Sequence, residues 1–199
     1  MVISQAIFFD RDGVLNKNIF YKKYKQYEAP LSNKDLIIDK NILILKELQK
    51  KYLLFIITNQ PSAAKNKTTL EELKKIKNKF LEKLIYKKIK IKKYLVCQND
   101  YSNKNNFCKN FNYCKFKKKN KITKICKKPS NFLIEYCLKK YKIDNKKSWF
   151  IGDRRSDLLA AKKSKLKFIL VGKNYNQYDI KYKISSMQSL TKIKEIWAN

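Results

Sequence analysis

The chain has 199 residues, of which 44% are hydrophobic and 32% charged, with a formal net charge of +32. This length and composition suit a single globular domain over 1–199 and exclude a disordered tail. The chain contains no histidine, which excludes Ser–His–Asp triads, Cys–His pairs and histidine-ligated metals. Acid–base chemistry must therefore fall to carboxylates, lysines, cysteines or tyrosines.

The basic excess has two explanations. A charge of this size would draw nucleic acid to the surface. However, 45 of the 48 basic residues are lysine, which has A/T-rich codons, and the lysines are spread along the chain rather than clustered with aromatic residues. We favour genomic base composition and expect no specific nucleic-acid partner. The scarce residues are then informative, because all three arginines and two of the three glycines lie in two short acidic motifs.

The sequence shows little sign of membrane insertion, secretion or disulfide bonding. No apolar run approaches the roughly 18 residues of a membrane helix, and residues 1–9 lack a basic region and a cleavage site. The chain has five cysteines, an odd number, and it is long enough to fold without disulfide bonds. A framework of disulfides is therefore not expected. We expect a cytoplasmic monomer without a membrane partner.

The first predicted strand is an apolar run at 6–9 that ends in the polar loop Asp10-Arg11-Asp12-Gly13. Apolar residues at helical spacing predict a helix over 40–50, and a buried strand at 53–57 runs into Thr58-Asn59-Gln60. The later elements are a helix over 70–84, a strand at 94–97, an inserted loop at 98–125, a helix with Pro129 in its first turn, and strands at 149–151 and 168–171. Five strands alternating with helices predict an α/β fold, a central parallel sheet with helices on both faces.

Polar residues follow three of the predicted strands. Asp10 and Asp12 follow the first, Thr58 and Asn59 the second, and Gly152-Asp153 the fourth. Each alone could be a turn residue bonded to backbone amides. Open parallel sheets bind ligands beyond the carboxyl ends of their strands, so together these residues predict a site.

The carboxylates in that site suggest its chemistry. If Asp10, Asp12 and Asp153 converge, they repel one another unless a cation lies between them. Hard oxygen ligands without histidine or thiolate favour Mg²⁺. Asp157 comes four residues after Asp153 and would share its face of a helix that began there, so it could hold a water bound to the metal. These features suit phosphoryl transfer, and a carboxylate nucleophile would form an aspartyl-phosphate.

Four segments resemble, in order and spacing, the motifs of the haloacid dehalogenase superfamily of phosphatases. They are Phe9–Asn16, Thr58-Asn59-Gln60, Lys127-Lys128-Pro129 and Ile151-Gly152-Asp153 through Asp157. Within the superfamily the chain is similar to the D-glycero-D-manno-heptose 1,7-bisphosphate 7-phosphatases, with histidinol-phosphate phosphatases close behind. The resemblance implies a Rossmann-like fold with a minimal cap, a Mg²⁺ cofactor and a small phosphorylated sugar as substrate, in lipopolysaccharide precursor synthesis.

The resemblance also implies roles for individual residues. Asp10 would be the nucleophile and a metal ligand, and Asp153 would complete the metal shell. Asp12 would be the general acid–base, with its backbone carbonyl on the metal. Thr58 and Asn59 would hydrogen-bond the phosphoryl oxygens.

Three basic residues have implied roles at the phosphate groups. Lys128 would neutralise the transferring phosphoryl group. Lys127 stands where the family usually has arginine, and Arg154 where a basic residue contacts substrate, so the two could grip a second phosphate or sugar hydroxyls. A lysine at 127 is a point charge and cannot donate the two parallel hydrogen bonds of an arginine. The alternative is that Lys127 is only a charged surface residue.

A structural zinc in the loop after the third strand is a further implication, but Asn99 and Lys124 replace two of its ligands. Either the loop has lost its metal, or four cysteines form a rearranged zinc site: Cys97, Cys108, Cys114 and Cys126. Cys137 lies on an apolar helical stripe and is expected in the core.

The segment between Leu15 and Pro30 carries three tyrosines among lysines, which form either a flap near the active site or exposed loop side chains. Three alternatives to a sugar bisphosphate phosphatase stay open. They are a phosphatase of histidinol phosphate or another small monoester, a polynucleotide 3′-phosphatase, and a catalytically retired module that binds RNA or other anions.

Overall fold

The computed structural model describes residues 4–98, 117–118, 121–122, 126–172 and 180–198. Ten strands are assigned in it: β1 Ala6–Phe9, β2 Ile19–Tyr21, β3 Gln26–Glu28, β4 Leu53–Asn59, β5 Lys93–Cys97, β6 Lys117–Lys118, β7 Lys121–Ile122, β8 Trp149–Gly152, β9 Lys167–Val171 and β10 Tyr182–Ile184. The α-helices are α1 Ile44–Leu48, α2 Leu70–Tyr86, α3 Phe132–Lys140, α4 Arg155–Lys163 and α5 Lys194–Trp197. None of these helices is long and apolar enough to span a membrane.

Six strands form one parallel sheet in the order β10-β9-β8-β1-β4-β5. The chain builds outward from β1 through β4 to β5, then crosses to β8 on the other side of β1 and continues to the opposite edge. The predicted α/β fold is therefore confirmed, with a topological switch point at β1. The sequence predicted five strands and missed β10, because this three-residue edge strand buries only Ile184 and has no apolar run.

Two hydrophobic clusters cover the two faces of the sheet, because successive side chains of a strand point to opposite faces. Ile7 and Phe9 pack in the cluster that includes side chains of α1 and α2, while Ala6 and Phe8 pack in the cluster that includes α3 and α4. All four of these β1 side chains are fully buried. The central strand thus fixes the position of the acidic loop that follows it.

Two predicted helices differ from the structure at their starts. The helix expected over 40–50 is a five-residue α-helix at its centre, with turns before it. The helix expected to begin at Pro129 begins at Phe132, and Pro129 lies in the preceding loop after a cis Lys128–Pro129 bond. Asn131 is the residue that precedes the helix, and Ser130 Oγ in the same loop accepts a hydrogen bond from the Phe132 amide at 3.2 Å.

The tyrosine-rich segment after β1 forms an antiparallel hairpin of β2 and β3, which we call the flap. The Tyr21 hydroxyl anchors it by donating to Asp35 Oδ2 at 2.5 Å and accepting from the Leu31 amide at 2.8 Å. Within the insert expected at 98–125, the structure describes residue 98 and the two-residue strands β6 and β7, which form an antiparallel ladder.

Cys97 and Cys126 are joined by a disulfide, with their Cα atoms 5.5 Å apart. The expectation of a chain without disulfides is wrong at this pair, because β5 and the segment before Lys128 bring two cysteines distant in sequence together. In this bonded form the two sulfurs are not thiolate ligands for zinc, and Cys108 and Cys114 lie outside the described residues. Cys137 is in the core as expected, and burial raises the pKa of its thiol to about 12.

Candidate active site

The polar motif residues converge beyond the carboxyl ends of β4, β1 and β8, which are neighbours in the sheet. Several of them border a cavity of about 310 Å³ beside the flap. Its lining includes Asp10, Asp12, Glu28, Ala29, Asn59, Pro61, Ser62, Lys65, Lys127, Lys128, Arg154 and Ser156. The flap therefore does lie beside the site, through Glu28 and Ala29.

Three carboxylates form a cluster at this site, and one of them, Asp10, lines the cavity. Ligand oxygens of Asp10, Asp153 and Asp157 all lie within 4.8 Å of one another. Helix α4 begins at Arg155, so Asp153 precedes it, and the expectation that Asp153 and Asp157 share a helix face is wrong. Asp157 instead approaches the cluster from the first turn of α4, where its Oδ2 accepts from the Arg154 amide at 3.1 Å.

The cluster fits a hard divalent cation. Burial raises the pKa of Asp10 to about 6, with Asp157 and Asp12 adding to the rise and Lys128 opposing it. Burial likewise raises the pKa of Asp153 to about 8, with the charges of Asp10 and Asp157 adding to it. Oδ1 of Asp153 is buried and has no hydrogen-bond partner among the described residues. A divalent cation would supply that partner and favour the ionised carboxylates.

The two motif glycines are required by close approach to these carboxylates. Gly13 has a φ of +86°, and a Cβ there would lie 2.1 Å from Asp153 Oδ2. A Cβ on Gly152 would lie 2.5 Å from the Cβ of Asp157. This crowding explains why a chain with only three glycines keeps two of them in its acidic motifs.

Lys128 is the cation nearest to the cluster and is 3% exposed. Its Nζ lies 3.0 Å from Asp10 Oδ1 and 2.7 Å from Asp157 Oδ1, and it donates to the Ile57 carbonyl at 2.9 Å. Burial alone would lower the pKa of this lysine, but the two carboxylates outweigh it and raise the pKa. Lys128 is therefore a fixed positive charge beside Asp10.

The Asp12 carboxylate is held apart from the cluster by a ring of donors that we call the Asp12 clamp. Arg11 donates to Oδ1 from Nε at 3.0 Å and from Nη2 at 2.8 Å, and Asn16 Nδ2 donates to the same oxygen at 3.0 Å. Oδ2 accepts from Gln60 Nε2. Arg11 is 1% exposed and also donates from Nη1 to the Tyr94 hydroxyl at 3.0 Å. The clamp fixes the direction of the Asp12 carboxylate.

Two predicted phosphate ligands have structural partners here. Asn59 pairs with the backbone of Lys128, accepting from its amide at 3.0 Å and donating to its carbonyl at 3.1 Å. This pair ties the end of β4 to the Lys127-Lys128 segment and sets where Lys128 Nζ lies. Thr58 is buried, and its hydroxyl donates to Asp12 Oδ2 at 3.4 Å and accepts from Gln60 Nε2 at 2.9 Å.

Lys127 and Arg154 both line the cavity, as the sequence analysis expected of substrate-contacting cations. Several site residues were missed by sequence reasoning. Within the clamp these are Arg11, Asn16 and Gln60, and in the cavity they are Glu28, Ser62 and Lys65. Arg11 carried a signal, since it is one of three arginines among 48 basic residues and lies inside the first motif. Nothing in the sequence distinguishes Lys65 from the other 44 lysines.

The raised pKa values of Asp10 and Asp153 predict how the stability of the metal-free protein depends on pH. Both groups bind protons more tightly in the folded state than in the unfolded state, so stability falls as pH rises from about 4 toward about 8. Asp153→Asn removes one ionising group and should raise the melting temperature in EDTA at pH 8 by about 3 °C or more, with little change at pH 4. Mg²⁺ should stabilise wild type more at pH 8 than at pH 5. Thermal melts across pH, with and without Mg²⁺, test this, and a wild-type stability that rises from pH 4 to 8 in EDTA would contradict it.

Comparison with known proteins agrees with this geometry. A family model described as HAD-hydrolase-like matches residues 125–186. A D-glycero-beta-D-manno-heptose-1,7-bisphosphate 7-phosphatase of Pasteurella multocida is 25% identical over 167 residues, covering 83% of this chain and 79% of that protein. A D-glycero-alpha-D-manno-heptose-1,7-bisphosphate 7-phosphatase of Campylobacter jejuni is 29% identical over 157 residues, covering 79% and 76%.

Among solved structures, the D,D-heptose 1,7-bisphosphate phosphatase of B. bronchiseptica, complexed with magnesium and phosphate, superposes with a TM-score of 0.72. It is 18% identical, and the alignment covers 94% of this chain and 96% of that one. In its motifs, its fold and these matches the chain is similar to phosphatases of the haloacid dehalogenase superfamily, and together they indicate a phosphoric monoester hydrolase.

Proposed function

We propose that the protein hydrolyses D-glycero-D-manno-heptose 1,7-bisphosphate at the 7-phosphate, with Mg²⁺ and through an aspartyl-phosphate on Asp10. The observation that carries the proposal is that Asp10 lies at a cavity, close to one buried and one half-buried carboxylate and to the fixed charge of Lys128. Relatives of both anomeric specificities, named at 25% and 29% identity, support the substrate.

The cavity suits a substrate with two phosphates. Lys128 lies beside the nucleophile, and three more cations line the same cavity: Lys65, Lys127 and Arg154. A single transferring phosphoryl group needs one such counter-charge beside the metal, so the additional cations favour a second anionic group on the substrate. We therefore expect tighter binding of a bisphosphate than of the corresponding monophosphate.

In the first step, an oxygen of Asp10 attacks phosphorus and the bond from phosphorus to the sugar oxygen breaks. Lys128 offsets charge on the phosphoryl oxygens during this transfer. Mg²⁺ held by Asp10, Asp153 and the Asp12 carbonyl would supply further charge neutralisation at the phosphoryl group. The leaving sugar oxygen receives its proton from Asp12.

In the second step, Asp12 takes a proton from water, which attacks the aspartyl-phosphate and releases inorganic phosphate with Asp10 regenerated. The carboxylate of Asp12 is bonded to Arg11, Asn16 and Gln60 in the structure, so proton transfer requires it to give up at least one of these bonds. The clamp thereby provides a rest position for the acid–base group between its two proton transfers.

The test is phosphate release from a substrate panel with Mg²⁺ and with EDTA. The panel holds both anomers of heptose 1,7-bisphosphate, fructose 1,6-bisphosphate, histidinol phosphate and a 3′-phosphorylated oligonucleotide. A Mg²⁺-dependent preference for a heptose bisphosphate supports the proposal and places the enzyme in the cytoplasmic synthesis of cell-envelope precursors. Preference for histidinol phosphate or the oligonucleotide would overturn the substrate, and silence on every substrate would favour a retired anion-binding module.

A further inference from the structure

The active-site cavity contains one acidic side chain that the motifs do not account for, within the described part of the chain. Glu28 is the last residue of β3 and lines the same cavity as Asp10 and the cavity cations. Its side chain is 22% exposed. A carboxylate in a cavity for phosphate esters needs an explanation, because it repels a phosphate dianion.

Glu28 is held in place by two neighbours. Lys67 Nζ forms an ion pair with Oε1, and Gln26 Nε2 donates to the same oxygen. Lys67 is itself fixed, with its Nζ 4.4 Å from the centre of the Tyr24 ring. Both of these bonds use Oε1, so within the described residues Oε2 is the oxygen left for a ligand in the cavity. The ion pair with Lys67 also reduces the repulsion that Glu28 would exert on a nearby phosphate.

The neighbouring polar groups suggest what that oxygen contacts. The cavity cations provide for anionic groups, while Ser62 and Ser156 add hydroxyls to the same lining. A carboxylate oxygen accepts hydrogen bonds but donates none, so its partners are N–H or O–H donors of the substrate. On a phosphorylated sugar, those donors are the hydroxyl groups between the phosphates.

We propose that Glu28 is a specificity-determining residue that accepts hydrogen bonds from hydroxyl groups of a polyhydroxylated phosphate ester. The inference rests on the proposed phosphatase activity at Asp10 but does not require that the substrate be a heptose. Sites built to hydrogen-bond a hydroxyl reject analogues that lack it, since the protein acceptor is then buried without a partner. Glu28 thus selects sugar phosphates over phosphate esters of apolar alcohols.

The test compares two substrates of equal chain length, glucitol 6-phosphate and n-hexyl phosphate, which differ in their hydroxyl groups. Wild type should show a kcat/KM for glucitol 6-phosphate about tenfold or more above that for hexyl phosphate, mainly through KM. Glu28→Ala should lower this ratio at least about fivefold, because it lowers kcat/KM for glucitol 6-phosphate and leaves kcat/KM for hexyl phosphate unchanged. Glu28→Gln keeps one acceptor oxygen without the charge and should give an intermediate ratio, and it keeps the test available if the alanine variant does not fold.

Glu47→Ala is the matched control, because it removes a glutamate that pairs with Lys50 at the exposed surface of α1 and does not line the cavity. Its substrate ratio should stay within about twofold of wild type. The inference is overturned if wild type shows no polyol preference, if Glu28→Ala lowers kcat/KM equally for both substrates, or if Glu47→Ala lowers the ratio as much as Glu28→Ala.

These outcomes separate the inference from the proposed function. If heptose bisphosphate is not preferred in the panel but the polyol ratio depends on Glu28, the proposed substrate fails and the inference stands. If no phosphate is released from either alcohol ester or from any panel member, the proposed activity fails and the inference fails with it.

Discussion

Asp10→Asn should lower phosphate release at least about a thousandfold while leaving the fold intact. Asparagine has nearly the same shape and can still accept from the Arg11 amide, which donates to Asp10 Oδ1 at 2.8 Å. It cannot act as the carboxylate nucleophile. Because the residues of such a site act as a unit, loss of the nucleophile removes most of the rate enhancement. The substitution also removes one of the clustered negative charges, so the metal-free variant should melt at a higher temperature than wild type at pH 8. Steady-state kinetics and thermal melts on the same preparations measure both effects.

Asp144→Asn is a suitable control for this variant. Asp144 lies in the loop before β8, where its Oδ1 accepts from the amides of Lys146 and Lys147, a role that asparagine can keep. It should leave turnover within about twofold of wild type. Appreciable turnover by Asp10→Asn, above that of enzyme treated with EDTA, would show that the nucleophile has been misassigned.

The central sheet could be predicted from the sequence because its strands are continuous apolar runs that end in polar motifs. Phe8 and Ile56, for example, are both fully buried, as strands covered on both faces require. The edge strand β10 escaped prediction because an edge position does not impose that pattern. The start of α3 also escaped prediction, because Pro129 lies in a loop before the helix that Asn59 holds through the backbone of Lys128.

Site residues could be predicted from the sequence when their type is scarce or when they fall in a motif. Site residues whose position depends on tertiary contacts could not be predicted. Asp10 and Asp153 were placed at one site from the strand ends and Lys128 from the resemblance, and the structure brings the three together. The Asp12 clamp was not foreseen, because it depends on Arg11 turning inward to meet Asp12 and Tyr94 across the sheet. Glu28 was missed for the same reason, since the fold of the flap decides which of its side chains reach the cavity.

Lys128→Met should be the most destabilising single change at the site as well as a severe catalytic one. Methionine fills a similar volume but removes the cation that contacts Asp10 and Asp157. The two buried carboxylates then lose their positive partner. Removing one partner of a buried ion pair typically costs about 3–5 kcal/mol, and we expect a loss of about 3 kcal/mol in the free energy of unfolding in EDTA at pH 8. The loss should be smaller at pH 5, because protonation of Asp10 then relieves the repulsion. Denaturant titrations at both pH values measure this difference.

Lys127→Met is the matched control, because it removes a lysine from the adjacent position, where the side chain lines the cavity and is only partly buried. It should leave the free energy of unfolding within about 0.5 kcal/mol of wild type, as expected away from buried charge networks. Its effect should fall on KM for the bisphosphate, whereas Lys128→Met should lower kcat at least about a hundredfold. If the two variants lose equal stability at pH 8, the charge of Lys128 does not offset the buried carboxylates. The basis for assigning it to the transferring phosphoryl group would then be removed.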